Sequence, residues 1–177
     1  MRVLLHICCA PCCIYPLKTL RGEGMDVVGY FFNPNIHPYT EFLRRLETLD
    51  NYVKLNLLPL VVDKEYNLYD FLKGAFDYGR DRCIFCYKIR LERAFQVAIQ
   101  GGFEAVTTTL LYSKYQRHND IKDAGEILSD QYGLSFLYRD FRIGWKEGID
   151  KSKGLNMYRQ SYCGCIFSEY ERYKEGR

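Results

Sequence analysis

At 177 residues, with 47% hydrophobic and 27% charged residues, the chain has the make-up of an ordinary soluble globule and enough length to bury one sizeable core rather than two. No apolar run approaches the roughly 20 residues that a membrane helix needs, and a formal net charge of +3 is too small by itself to mark a nucleic-acid binder. The feature that stands out is eight cysteines.

The chain opens with Val3 to Ile7, a nearly continuous apolar run of the kind expected for a central parallel strand. Met1 to Leu5 is not read as a signal peptide, because the run stops at His6 and no small-residue cleavage site follows; a cytoplasmic protein is expected. Pro16 then fits the first turn of a short helix closed by Gly22, and Asp26 to Phe32 reads as a second strand. Pro34 and Pro38 punctuate a loop, after which Leu43, Leu46 and Val53 mark one face of a helix from Thr40 to Leu55. A third strand is expected over Leu58 to Val62, with Pro59 tolerated at its start. Helical spacing links Leu68, Phe71, Leu72, Ala75 and Phe76, and again Ile84, Tyr87, Leu91, Ala94, Phe95 and Ala98, with Gly101 and Gly102 ending the second helix. Ala105 to Leu111 reads as a fourth strand, Ile121 to Tyr132 as a helix and Leu134 to Tyr138 as a fifth strand, with a helical tail after Phe141. Five strands alternating with helices predict one doubly wound α/β domain spanning residues 1–177, with a mainly parallel, Rossmann-like sheet.

The cysteines fall into three short clusters, Cys8 to Cys13, Cys83 with Cys86, and Cys163 with Cys165. In a reducing compartment such clusters point to metal or redox chemistry rather than disulfides. Cys9-Ala10-Pro11-Cys12 and Cys83-Ile84-Phe85-Cys86 share the two-residue spacing that lets two sulfurs reach one metal or cluster, and Gly164 gives the backbone freedom to turn Cys163 and Cys165 toward one site. The first cluster follows the first strand, where open α/β sheets place their ligands, and the second lies at a helix start, which favours thiolates. Adjacent Cys12 and Cys13 do not readily direct both side chains to one site, so Cys13 is assigned to packing. The candidate ligands are Cys8, Cys9, Cys12, Cys83, Cys86, Cys163 and Cys165. Zinc alone uses four, as does one 4Fe-4S cluster, so seven candidates leave room for a second metal or a redox thiol pair.

His6 is read as a hydrogen-bonded core residue. Tyr112 follows the fourth strand and can reach the same crevice; Arg159 and Tyr162 immediately precede Cys163, where a cation can hold phosphate and a ring can stack on a base. These three are the candidate catalytic side chains. Two basic stretches, 80–93 and 139–159, flank the second and third clusters.

The segments Leu4 to Cys12, Arg82 to Tyr87 and Tyr158 to Cys165, with Thr107-Thr108-Thr109-Leu110, together resemble the cobalamin-independent epoxyqueuosine reductase family, QueH, over nearly the whole chain and in the same order. The resemblance implies removal of the epoxide oxygen from epoxyqueuosine in tRNA, an iron-sulfur cofactor with a possible second metal ion, iron, a tRNA substrate and an electron donor still to be identified. With that substrate, the basic stretches acquire a use in phosphate contact. Two other readings are weighed. An ATP-dependent tRNA thiolation enzyme would want a glycine-rich loop where Cys8 to Cys13 stand, and a noncatalytic zinc-stabilised RNA-binding module would be colourless and without reductase activity.

Overall fold

The computed structural model describes residues 1–174; the end of the expected helical tail, residues 175–177, lies outside them. Five parallel strands, β1 (Arg2–His6), β2 (Asp26–Phe31), β3 (Leu60–Val62), β4 (Ala105–Thr108) and β5 (Ser135–Phe136), form one sheet in the order β3-β2-β1-β4-β5. The intervening helices are α1 (Ala10–Gly22), α2 (Tyr39–Leu55), α3 (Leu68–Asp77), α4 (Arg82–Gln100) and α5 (His118–Tyr132), followed by α6 (Trp145–Gly154) and α7 (Ile166–Tyr173). The expected doubly wound α/β class with a helical tail is the fold observed. Strand β1 lies between β2 and β4, pairing Val3 with Ala105 and His6 with Thr108, so the strand order reverses beside it. Ligands of open α/β sheets bind at that switch point, beyond the carboxyl ends. Burial explains the composition of the central strand: Val3, Leu4, Leu5, His6 and Ile7 are all 0% exposed, and a strand covered on both faces must be apolar on both. Among the described residues no helix is long and apolar enough to cross a membrane.

Several boundaries depart from expectation for physical reasons. Helix α1 begins at Ala10, with Pro11 in its first turn, so Pro16 lies inside it, where a proline removes one amide donor from the helical ladder. Strand β4 stops at Thr108, whose hydroxyl accepts the amide of Leu110 at 3.1 Å and starts a 3-10 turn over Thr109–Tyr112. Strand β5 shortens to Ser135–Phe136 and β3 to Leu60–Val62. On α2 the buried face carries Phe42, Leu49, Tyr52 and Val53 together with Glu41 and Arg45, while Leu43 is 45% exposed. Two buried charges on that face shift it by a residue from the stripe that apolar residues alone suggest. Phe76 is also exposed, meeting Phe167 of α7 edge-on at 5.6 Å.

Candidate metal centre

The first cysteine group is built where β1 runs into α1. Cys9 takes an extended conformation as the residue before the helix, Pro11 occupies its opening turn, and the Sγ atoms of Cys8, Cys9 and Cys12 all lie within 4.8 Å of one another. The turn after β4 holds this group from the side: Thr109 Oγ1 accepts the Cys8 amide at 3.0 Å and donates to Cys8 Sγ at 3.3 Å. Gln160 Nε2 donates to Cys9 Sγ at 2.8 Å. Hydrogen bonds from Cys12, Cys9 and Thr109 hold the Cys8 thiol well below the ordinary thiol range, whereas burial raises Cys9 and the bonds to Cys8 and Cys9 raise Cys12. That lowering favours the thiolate at Cys8, the form that binds metal. Cys13 is fully buried in the main apolar core, and burial pushes its thiol up. His6, below the group, bonds Thr108 Oγ1 at 2.9 Å and the Phe32 carbonyl at 3.2 Å. The carbonyl can only accept, so Nε2 carries the proton, and burial brings the histidine down to about 4.

The second group joins the start of α4 to the segment before α7. Cys83 and Cys86 stand three residues apart in the opening turns of α4; Cys165 is the residue before α7 and Cys163 lies two residues earlier. Cys86 and Cys165 pack with Phe71 and Ala75 in a small apolar cluster separate from the main core. Burial raises Cys83, with the charges of Cys163 and Cys165 adding to it, and pushes Cys86 up to about 12 against the pull of Arg90. Cys163 faces open space, yet its enclosing walls raise the thiol, opposed by Arg90 and by Gln116, whose Nε2 donates to Cys163 Sγ at 3.1 Å. Between the two cysteines Gly164 adopts φ +155°, and a Cβ there would stand 3.0 Å from Asn35 Nδ2, so a residue without a side chain is needed. Helix α2 and the loop before it tie this segment down: Arg45 donates to the carbonyls of Cys163 at 2.8 Å and Tyr162 at 3.2 Å, and the His37 amide donates to the Gly164 carbonyl at 2.8 Å. Glu41 fixes the clamp, bonding Arg45 Nε at 2.7 Å and accepting the Tyr158 hydroxyl at 2.7 Å.

A cavity of about 560 Å³ opens between the groups, with Cys8, Cys12 and Cys163 in its wall together with Arg45, Arg90 and Arg159. Tyr112 and Tyr162 line it as well. The Tyr112 hydroxyl donates to the Trp145 carbonyl at 3.0 Å, its ring packs 5.1 Å from that of Trp145, and burial raises the phenol. The Tyr162 hydroxyl donates to the His37 carbonyl, its ring lies 5.4 Å from the Arg45 guanidinium, and burial pushes it up to about 12. Arg159 is exposed at the rim. The structure therefore gathers Cys8, Cys12, Cys163, Tyr112, Arg159 and Tyr162 around one space, with Cys9 beside Cys8 and Cys12, and leaves Cys83, Cys86 and Cys165 outside the cavity wall.

Sequence reasoning missed Thr109, Gln116, Arg45 and Arg90. Thr109 belongs to a segment that carries the family resemblance, but nothing in the sequence marks it, Gln116 or Arg45 as a partner of a cysteine far along the chain, and Arg90 sits within a basic run that reads as surface. That run is not a uniform solvated face: Arg90 is 1% exposed, Arg82 pairs with Glu171, and Arg93 pairs with Asp63 at 2.9 Å. In the second stretch Arg139 pairs with Glu23 and Arg142 with Asp140, while Lys146, Lys151 and Lys153 are exposed.

A family model described as epoxyqueuosine reductase QueH matches residues 3–171. The chain is similar to an epoxyqueuosine reductase QueH of Dehalococcoides mccartyi, 34% identical with 97% of this chain and 94% of the relative covered. It is likewise similar to an epoxyqueuosine reductase QueH of Thermotoga maritima, 37% identical over 96% of this chain and 91% of the relative. A solved structure, that of the zinc inhibited form of teicoplanin deacetylase Orf2, overlaps with a TM-score of 0.47 at 8% identity, across 77% of this chain and 66% of that one. That overlap concerns backbone arrangement alone.

Proposed function

The chain belongs to the epoxyqueuosine reductase QueH family, and from that membership we propose that it deoxygenates epoxyqueuosine in tRNA at a thiolate-held redox centre formed by its two cysteine groups. The observation that carries this reading is their meeting at one cavity at the carboxyl edge of the sheet, with Cys8 and Cys12 of the close trio in its wall together with Cys163. The reaction adds two electrons and two protons to the epoxide and yields a cyclopentene and water. Its donor set fits such a centre. Sulfur ligands select iron or zinc; amide and hydroxyl donors already point at Cys8, Cys9 and Cys163, an outer layer that orients ligands and tunes a metal. The close trio Cys8, Cys9 and Cys12 suits a single ion, and the four cysteines Cys83, Cys86, Cys163 and Cys165 match the ligand number of a 4Fe-4S cluster. When bound, a cluster supplies electrons one at a time and an adjacent metal ion acts as a Lewis acid toward an oxygen.

The chain's own side chains then bind, orient and protonate. Arg159 at the rim offers its charge to tRNA phosphate. Tyr112 holds a proton on Oη at the cavity wall, and its raised phenol keeps that proton at neutral pH. Tyr162, fixed through His37, closes the wall beside Cys163 and limits water entry. We extend the single-domain expectation to the working unit, because the main core joins residues of β1, β2 and β4 with those of α1, α2, α4 and α5. Iron and acid-labile sulfide analysis of anaerobically reconstituted protein tests the reading. A 4Fe-4S stoichiometry plus further metal is expected, with cluster sulfide lost in Cys86→Ser and kept in Cys13→Ser; protein that takes up zinc but no iron would overturn it.

A further inference from the structure

Of the guanidiniums close to the cysteines, Arg159 is exposed at the rim and two others have carboxylate partners, Arg45 with Glu41 and Arg82 with Glu171. Arg90 has none among the described residues. It is 1% exposed, its Nε donates to the Cys86 carbonyl at 3.0 Å, its Cζ lies 5.8 Å from the ring centroid of Tyr87, and its Nη2 has no hydrogen-bond partner. A buried cation without a counter-charge is strongly unfavourable, so an anion must stand nearby in the working protein. The cysteine sulfurs are the anions its position favours. Arg90 shares the cavity wall with Cys8, Cys12 and Cys163 and touches the backbone of Cys86. Beside the Tyr87 phenol, its acidic neighbours are the thiols of Cys86, Cys163 and Cys8, in that order. Two of those belong to the second cysteine group and one to the first.

We propose that Arg90 is the shared counter-charge of the two cysteine groups, acting through their sulfurs to raise the reduction potential of the centre they hold. The inference rests on the metal-centre reading above. Reduction adds negative charge to a thiolate-bound centre, and a fixed cation in a low-dielectric pocket favours the reduced state. Arginine suits the position because it remains protonated when buried, whereas lysine readily loses its proton there.

The test compares wild type, Arg90→Gln and Arg90→Lys after anaerobic reconstitution, with circular dichroism for folding, iron and sulfide analysis, and a redox titration followed by EPR. Arg90→Gln is expected to fold, bind iron and show a more negative midpoint potential, with Arg90→Lys restoring part of the shift. An iron-loaded Arg90→Gln protein at the wild-type potential overturns the proposal. If Arg90→Gln fails to fold or load, the potential of Arg90→Lys decides: a value below wild type that falls further as pH rises and the lysine loses its proton sustains the counter-charge role, and the wild-type value at every pH overturns it. Failure of the metal-centre reading itself is seen separately, as wild-type protein that binds no iron.

Discussion

All three histidines of the chain, His6, His37 and His118, are buried, and burial lowers each below its ordinary pKa. Their folded-state values lie below the unfolded value of about 6.5, so the unfolded chain binds more protons as pH falls through that range. The stability they contribute is complete above about 6.5 and is lost as pH falls from there, for His6 down to about 4. By linkage, His6 alone accounts for on the order of 1 kcal/mol between pH 7.5 and 5.5. Urea unfolding at the two pH values is expected to show lower stability at pH 5.5, with a smaller loss in His118→Gln; equal or greater stability at pH 5.5 would contradict the neutral, buried state. Direction rather than burial separates Cys13 from Cys12 next to it, since both are buried. Both sit in the first turns of α1 and both touch the apolar core, yet only Cys12 also joins the sulfur trio. That division was legible in the sequence, because successive helical residues point about 100° apart.

Helix α2 contributes no cysteine but controls where Cys163 stands. Arg45 is 2% exposed and Glu41 10%, so their ion pair is a buried one, and its remaining donors hold two carbonyls of the cysteine segment. Breaking such a pair from one side leaves an uncompensated buried charge and costs about 3 kcal/mol. Glu41→Gln is therefore expected to lower unfolding stability by about that amount and to reduce iron retained after desalting, while the sheet's circular dichroism persists. Unchanged stability would show that the clamp does not carry the segment. This arrangement could not be read from the pattern of α2. Periodicity recognises a buried stripe by its apolar members, and here Glu41 and Arg45 occupy two of its positions, which led to Leu43 instead of Phe42. The ends of β4 and β5 were missed for a related reason. A strand extends only as far as its neighbour pairs with it, and β5 pairs with β4 through Ala105 and Val106 alone.

For the molecule as a whole, the sheet was legible because buried parallel strands are short continuous apolar runs separated by helical periods, and that alternation admits few topologies. The site was legible in part. Cysteine spacing named the sulfurs, but the residues that finish the site come from far along the chain: Thr109 meets Cys8 across 101 positions and Gln160 meets Cys9 across 151. Arg90 escaped for the opposite reason, since a basic run reads as surface and only tertiary packing buries it. The fold brings these pieces to the carboxyl edge beside β1, where the first cysteine group, the fourth-strand turn and the C-terminal segment meet. Function at that edge reduces to one question of chemistry. Anaerobic incubation of the reconstituted protein with epoxyqueuosine-containing tRNA and a chemical reductant, followed by nucleoside analysis, is expected to convert epoxyqueuosine to queuosine, and to fail with Cys12→Ser. Unaltered epoxyqueuosine in the presence of a fully loaded, reduced centre would contradict the assignment.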